Sequence, residues 1–286
     1  MAIYNLGSIN LDYFYHVPHL PKPGETLAST AYHQGLGGKG ANQSIAIARG
    51  GGQVKHIGLI HEKDSAHIQF MKDVGVDTTH IHSSSHPTGH AIVIIESHTA
   101  ENQILLMQGA NHEISEQMIE TALATATEGD WALTQNETNL GDVFLQKAKA
   151  KGCQICYSAA PFIKDKLLSL IDIIDLLIVN EGEAEAVTQA LGKEPDAWGI
   201  PHVIVTKGAE GAYYEGQEGS YFVPSEKVKA VDTTGAGDTY LGFILAQLSM
   251  KQTIKTAMIY AGKAAAIQVT RHGTADVIPA LEEIKT

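Results

Sequence analysis

The chain has 286 residues, 44% of them hydrophobic and 18% charged, which supplies enough apolar material for a full core and is unlike a disordered segment. Its formal net charge of -12 argues against a nucleic-acid binder, because phosphate backbones are gripped by clustered Lys and Arg. The N-terminus lacks a basic segment followed by a long apolar core, and no apolar run reaches the roughly 18 residues of a membrane span. Two cysteines make no disulfide framework, so a cytoplasmic protein with no membrane partner is expected.

In chain order, strands are predicted at residues 3–7, 54–60, 130–134, 153–157, 176–180 and 202–206. Helices are predicted at 41–50, 65–74, 115–126, 140–150 and 183–191. This alternation points to an α/β fold with a largely parallel sheet covered by helices on both faces. Such sheets bind ligands at the carboxyl ends of their strands. Two stretches break the pattern: 26–34 and 89–107 read as extended, the latter a hairpin across 98–102. They form either a small antiparallel lid or an edge extension of the main sheet. Two helical segments, 238–250 and 253–269, close the chain, with Ala257, Ala261, Ala264 and Ala265 suited to close packing. No repeat or linker appears, so residues 1–286 read as a single domain.

Cys153-Gln154-Ile155-Cys156 has the spacing of a redox motif but falls on a predicted strand. Residues three apart on a strand point to opposite faces, so the sulfurs diverge and buried thiols are expected. His80, His82, His86 and His90 crowd one stretch. With no Cys or Glu nearby and a turn predicted at 83–88, they read as an exposed polar loop instead of a metal site.

The strongest chemical signal is Asp232-Thr233-Thr234-Gly235-Ala236-Gly237-Asp238, a glycine-rich turn running into an amphipathic helix. The first amides of a helix lack internal partners and its dipole adds positive charge there, while Gly235 and Gly237 let those amides approach an anion. Asp238 beside such a nest either caps the helix or takes the proton of a hydroxyl attacking phosphorus. A second glycine loop, Gly35-Leu36-Gly37-Gly38-Lys39-Gly40-Ala41-Asn42-Gln43, also feeds a helix. Gly40 after Lys39 separates it from a Walker A loop, which needs Ser or Thr there. It offers donors to a polyol, or is a tight turn.

Gly7-Ser8-Ile9-Asn10-Leu11-Asp12, Gly38-Lys39-Gly40-Ala41-Asn42-Gln43 and the 232–238 motif, in that order, resemble the ribokinase-like (PfkB) carbohydrate kinases from residue 3 to about residue 279. The second motif is most similar to the ribokinase branch. The resemblance implies a central sheet flanked by helices, with a small β lid at about 12–35 and 89–108 that makes a homodimer contact. It implies ATP-dependent phosphorylation of a small sugar at a primary hydroxyl, with D-ribose to ribose 5-phosphate leading. Other acceptors in such a family are a nucleoside, a sugar acid or a phosphosugar, and a non-catalytic sensor is the alternative of another class.

By motif, Asp238 is then the base, and Gly235, Ala236 and Gly237 form the anion hole. Asp12, Gly38, Lys39, Gly40, Asn42 and Glu137 match sugar-binding positions. Asn180 and Glu183 match a pair that organises magnesium, Glu183 acting indirectly; Asn180 also fits a helix N-cap. Thr206, Lys207, Gly208, Ala209, Glu210 and Gly211 match a nucleotide-binding loop, and Gly262 an adenine contact. Asp232, Thr234, Gln268, Arg271 and Gly273 match a monovalent-cation site for K+, although Val277 replaces its usual Ser. The segment 191–201 is shorter than the family pattern, and His61, Ala66 and 158–161 depart from it.

Overall fold

The computed structural model describes residues 1–97 and 101–284. The chain begins with β1 (Ala2–Leu6), then β2 (Asn10–Val17), β3 (Ala31–Gly37), α1 (Lys39–Arg49) and β4 (Gln53–His61). Next come α2 (Ser65–Asp73), β5 (Asp77–Ser84), β6 (Gly89–Glu96), β7 (Asn102–Met107) and α3 (Glu116–Leu123). The regular alternation resumes with β8 (Trp131–Thr134), α4 (Gly141–Ala150), β9 (Gln154–Ser158), α5 (Lys164–Leu170), β10 (Leu176–Asn180), α6 (Glu181–Leu191) and β11 (His202–Thr206). A hairpin of β12 (Gly211–Gly216) and β13 (Gly219–Pro224) precedes α7 (Ala236–Ser249) and α8 (Ile254–Gln268).

The main sheet has the order β13-β12-β11-β10-β9-β8-β1-β4-β5. It is parallel from β11 through β5, with β12 and β13 antiparallel at one edge. Its strands are apolar on both faces because both are covered. In β10, Leu176 and Ile178 join the core formed with α1, α2, α7 and α8, while Leu177 and Val179 join the core formed with α3, α4, α5 and α6. After β1 the chain builds outward through β4 and β5, then returns to place β8 on the other side of β1. That reversal opens a crevice at the carboxyl ends of β1, β4 and β8.

A second sheet has the order β3-β2-β6-β7. The predicted strand at 26–34 is corrected here: β3 starts only at Ala31, after Thr30 N–H bonds His16 O at 2.8 Å. Residues 26–29 pair with no strand among the described residues, so the ladder with β2 ends at Ala31. β6 and β7 pair antiparallel as predicted. The turn predicted at 98–102 falls partly on residues 98–100, outside those described. The predicted polar turn at 83–88 is also shortened, because Ser83 and Ser84 belong to β5 and pair with Ile60 and His61. Among the described residues no group of three His, Cys, Asp or Glu is placed to hold a metal. None of the described helices is long and apolar enough to cross a membrane.

The thiols diverge: Cys153 lies in the core on the α3–α6 side and Cys156 in the core on the α1 side. Burial pushes both thiols up in pKa, which keeps them protonated and unreactive.

Helices α1 and α7 pack face to face with almost nothing between them at Gly242. A Cβ added there would lie 2.4 Å from Ala46 Cβ and 2.9 Å from Gln43 O. Neither is the free end of a flexible side chain. Gly242→Ala is therefore expected to destabilise the protein by about 1–3 kcal/mol through overpacking. Urea unfolding of the variant against the parent chain measures it.

Candidate active site

Asp238 sits in the first turn of α7 and is 8% exposed. The N-cap of that helix is Gly235, left-handed at φ 73°, and no side chain caps it. The simple capping role for Asp238 is thereby set aside. Its carboxylate instead reaches across to α1, where Oδ2 accepts from Asn42 Nδ2 at 3.1 Å and Oδ1 from Gln43 Nε2 at 2.9 Å. Beside it the chain is open: a Cβ added to Gly237 would meet nothing within 4 Å. The Ala236 amide turns back to Thr233 O at 3.3 Å. With the Ala236 amide so engaged, the Gly235 and Gly237 amides at this uncapped helix end make no hydrogen bond among the described residues, the kind of group that takes up anionic charge.

The start of α1 is tied to the ends of β1 and β8. Glu137 Oε2 accepts from Ser8 Oγ at 2.5 Å and from the Lys39 amide at 3.0 Å, and Ser8 Oγ accepts from the Gly40 amide at 3.2 Å. Gly38 is the N-cap of α1, at φ 88°. Asp12 projects from β2 against the Gly37 backbone, where an added Cβ would lie 1.8 Å from Asp12 Oδ2. Asp12, Gly38, Lys39, Gly40, Asn42, Glu137 and Asp238, separated by up to 226 residues in sequence, thus meet at one end of the sheet.

Charge in this region is unbalanced. Burial, with the Glu137 charge second, raises the Asp12 pKa from 3.8 to about 7. Burial also raises Glu183, helped by Asp238 and opposed by its hydrogen bond from the Asn180 amide. Lys39 is held up chiefly by Asp238, then by Glu137 and Glu183. One ammonium therefore answers three carboxylates, which leaves negative charge that a water-bound divalent cation would offset.

Asn180 and Glu183 form a complete capping box at the start of α6, with bonds of 2.9 and 3.0 Å. The nucleotide-loop candidates follow β11: Lys207 N–H bonds Gly211 O at 2.8 Å and its ammonium lies 3.3 Å from Glu181. Thr206, Gly208, Ala209 and Glu210 complete that turn. On its α6 side lies an open cavity of about 730 Å³ lined by Glu181, Glu185, Lys207, Glu210, Tyr213 and Phe222, next to the short connection at 191–201. Asp12, Lys39, Glu137 and Asp238 do not line it. Gly262 is on α8 with open space where a Cβ would stand.

The cation-site candidates are joined around Asp232. Its Oδ1 accepts from the Thr234 amide at 2.9 Å and its Oδ2 from the Gly273 amide at 3.3 Å. Gln268 Nε2 donates to Thr234 O at 3.1 Å, while Gln268 Oε1 is buried without a partner among the described residues. Arg271 donates to Val277 O and pairs with Glu283. A buried oxygen without a partner, on the residue that also holds Thr234 O, is a ligand a monovalent cation could use.

Comparison with known proteins bears on the family and the fold. Residues 3–281 match the pfkB family of carbohydrate kinases. The chain belongs to that family. This carbohydrate kinase is 38% identical over 297 residues to a ribokinase of Haemophilus influenzae, covering 97% of this chain and 95% of the relative. It is 28% identical to a deoxyribokinase of Salmonella typhi, covering 99% and 97%. Its fold superposes on an Arabidopsis thaliana ribokinase solved with ribose and ATP, with a TM-score of 0.84, 25% identity, and coverage of 99% and 97%.

Sequence reasoning did not single out Ser8, Gln43 or Gln135 in this kinase. Ser8 and Gln43 lie inside the motifs, and Gln135 two residues before Glu137. The only available signal was position, because their partners are set by the tertiary fold.

Asp12 carries a testable sign. Its folded pKa is raised, so its contribution to stability is full below about 4 and is lost as pH rises toward 7. Asp12→Asn removes that loss. Without ligand, the variant is expected to melt higher than the parent chain at pH 8 and to show a flatter melting profile between pH 4 and 7.

Proposed function

We propose that this kinase transfers the γ-phosphoryl group of ATP to the primary hydroxyl of a small sugar, with D-ribose giving ribose 5-phosphate. The observation that carries the reading is the buried Asp238 carboxylate, held by α1 at the open N-terminus of α7. The ribokinase from Haemophilus influenzae supports ribose as the acceptor. Residues 1–286 act as one kinase domain in the cytoplasm, where ATP is at hand.

In this mechanism Asp12, Gly38, Lys39, Gly40, Asn42 and Glu137 hold the sugar. Asp238 takes the proton of its hydroxyl as that oxygen bonds the γ-phosphorus, and the bond to the β,γ-bridging oxygen breaks to release ADP. Main-chain amides at 235–237 take up charge on the transferring group. The turn at 206–211 and Gly262 hold the nucleotide. Glu183 and Asn180 would organise magnesium through water, and when bound it would neutralise phosphate charge. Asp232, Thr234, Gln268, Arg271 and Gly273 would hold K+, which would steady the loop that ends at Gly235.

The test is ADP release over ribose, 2-deoxyribose, nucleosides and phosphosugars, with and without potassium. Ribose is expected to give the highest kcat/KM, and Asp238→Asn to lose about 100-fold or more in kcat. Near-normal turnover by Asp238→Asn would sink the base assignment. A better acceptor than ribose would sink only the substrate.

The second sheet, spanning about 12–35 and 89–108, acts as a lid and as the contact of a homodimer. Its edge strand β7 exposes Ile104, Leu105, Leu106 and Met107 at 48–69%. A contiguous apolar strand of this kind asks for a partner. Sedimentation is expected to give a dimer, and Leu105→Glu with Ile104→Glu a monomer.

A further inference from the structure

Behind Asp238 lies a row of side chains that the reaction above does not use. Asn5, Ser44 and His56 are 0% exposed, and Gln43 and Gln135 are 1% exposed. Each is polar, and each bonds the next. His56 Nε2 faces Gly7 O at 3.2 Å, Ser44 Oγ is 2.8 Å from His56 Nδ1, and Asn5 Nδ2 donates to Ser44 Oγ at 2.8 Å. Gln135 Nε2 donates to Asn5 Oδ1 at 3.0 Å and to Gln43 Oε1 at 2.6 Å. Gln43 Nε2 ends the row on Asp238 Oδ1.

The direction of every bond follows from one end. A carbonyl only accepts, so His56 must carry its proton on Nε2 and accept at Nδ1. Ser44 then spends its single hydrogen on His56 and must accept from Asn5. Asn5 Nδ2 is further fixed by Gly40 O at 2.9 Å, so Asn5 Oδ1 must point at Gln135. Gln135 gives both hydrogens, one to Asn5 and one to Gln43, and its Oε1 is left without a partner among the described residues. That stranded oxygen shows which end of the amide is held. Turning it round would set oxygen against oxygen at two places. With Gln43 Oε1 occupied, only its N–H₂ can meet Asp238. Burial pushes His56 down to about 4, which agrees with a neutral ring at the anchored end.

We propose that Gln43 and Gln135 are positioning residues, the last links of a one-way row of buried amides that sets the orientation of the Asp238 carboxylate. This rests on the reading of Asp238 as the base. Because Gln135 touches Asp238 only through Gln43, its effect must travel through that residue.

Gln43→Met, Gln135→Met and the double variant test this by steady-state ADP release with the acceptor that the parent chain turns over best. Each single variant is expected to lower kcat by about 10- to 100-fold, as a misplaced catalytic group does. The KM for sugar and for ATP should stay within about two-fold, since the lost interaction matters in the transition state. The double variant should be no worse than Gln43→Met alone. Multiplying losses would overturn the proposal, and so would normal kcat in Gln135→Met.

If Gln135→Met does not fold, Ser44→Ala takes its place. It is expected to give a smaller kcat loss at unchanged KM, absent in the Gln43→Met background; unchanged kcat overturns the proposal. Asp238→Asn separates the two readings. Near-normal turnover there brings down the base and the row together, whereas an inactive Asp238→Asn beside fully active glutamine variants brings down the row alone.

Discussion

The contact between α1 and α7 at Asp238 is the constraint on which the rest of the site hangs. Two consecutive side chains of α1, Asn42 and Gln43, grip the two oxygens of one carboxylate on α7. That grip needs the helix backbones to approach closely, and Gly242 against Ala46 permits the approach. Loop 35–43 arrives with α1 and the glycine turn at 235–237 arrives with α7. Fixing the two helices therefore fixes the loop at 35–43 and the turn at 235–237 relative to each other.

Electrostatics then explains why backbone groups do so much here. An acidic chain that must handle a polyphosphate has few side-chain cations to rely on, and here Lys39 faces Asp238, Glu137 and Glu183 together. Helix-end amides supply positive potential without adding titratable groups. Burial, with the crowding of Glu137 on Asp12 and of Asp238 on Glu183 behind it, raises both pKa values. Such crowding is common where groups are placed for chemistry instead of stability.

Much of the fold was legible in the chain. The apolar runs at 176–180 and 202–206 match β10 and β11 residue for residue, because a strand covered on both faces must be continuously apolar. The hairpin of β12 and β13 was less visible: Tyr213, Glu215, Tyr221 and Phe222 mix polar and aromatic positions at an edge where only one face is packed. Glycine motifs announced the two helix starts, since a close backbone approach or a positive φ leaves few other residues possible. The partners of Asp238 were not legible. Nothing local to Gln43 says that its amide meets a carboxylate 195 residues away, a contact created only when the sheet is complete.

That separation bears on how the protein comes into being. Asn42 and Gln43 are made early, whereas Asp238 belongs to the final fifth of the chain. Such long-range contacts form late compared with local ones. A nascent chain on the ribosome, however much of its sheet has formed, holds only half of the constellation. The two sides of this contact are thereby made far apart in time, and a product cut short before α7 would lack the carboxylate that Asn42 and Gln43 hold.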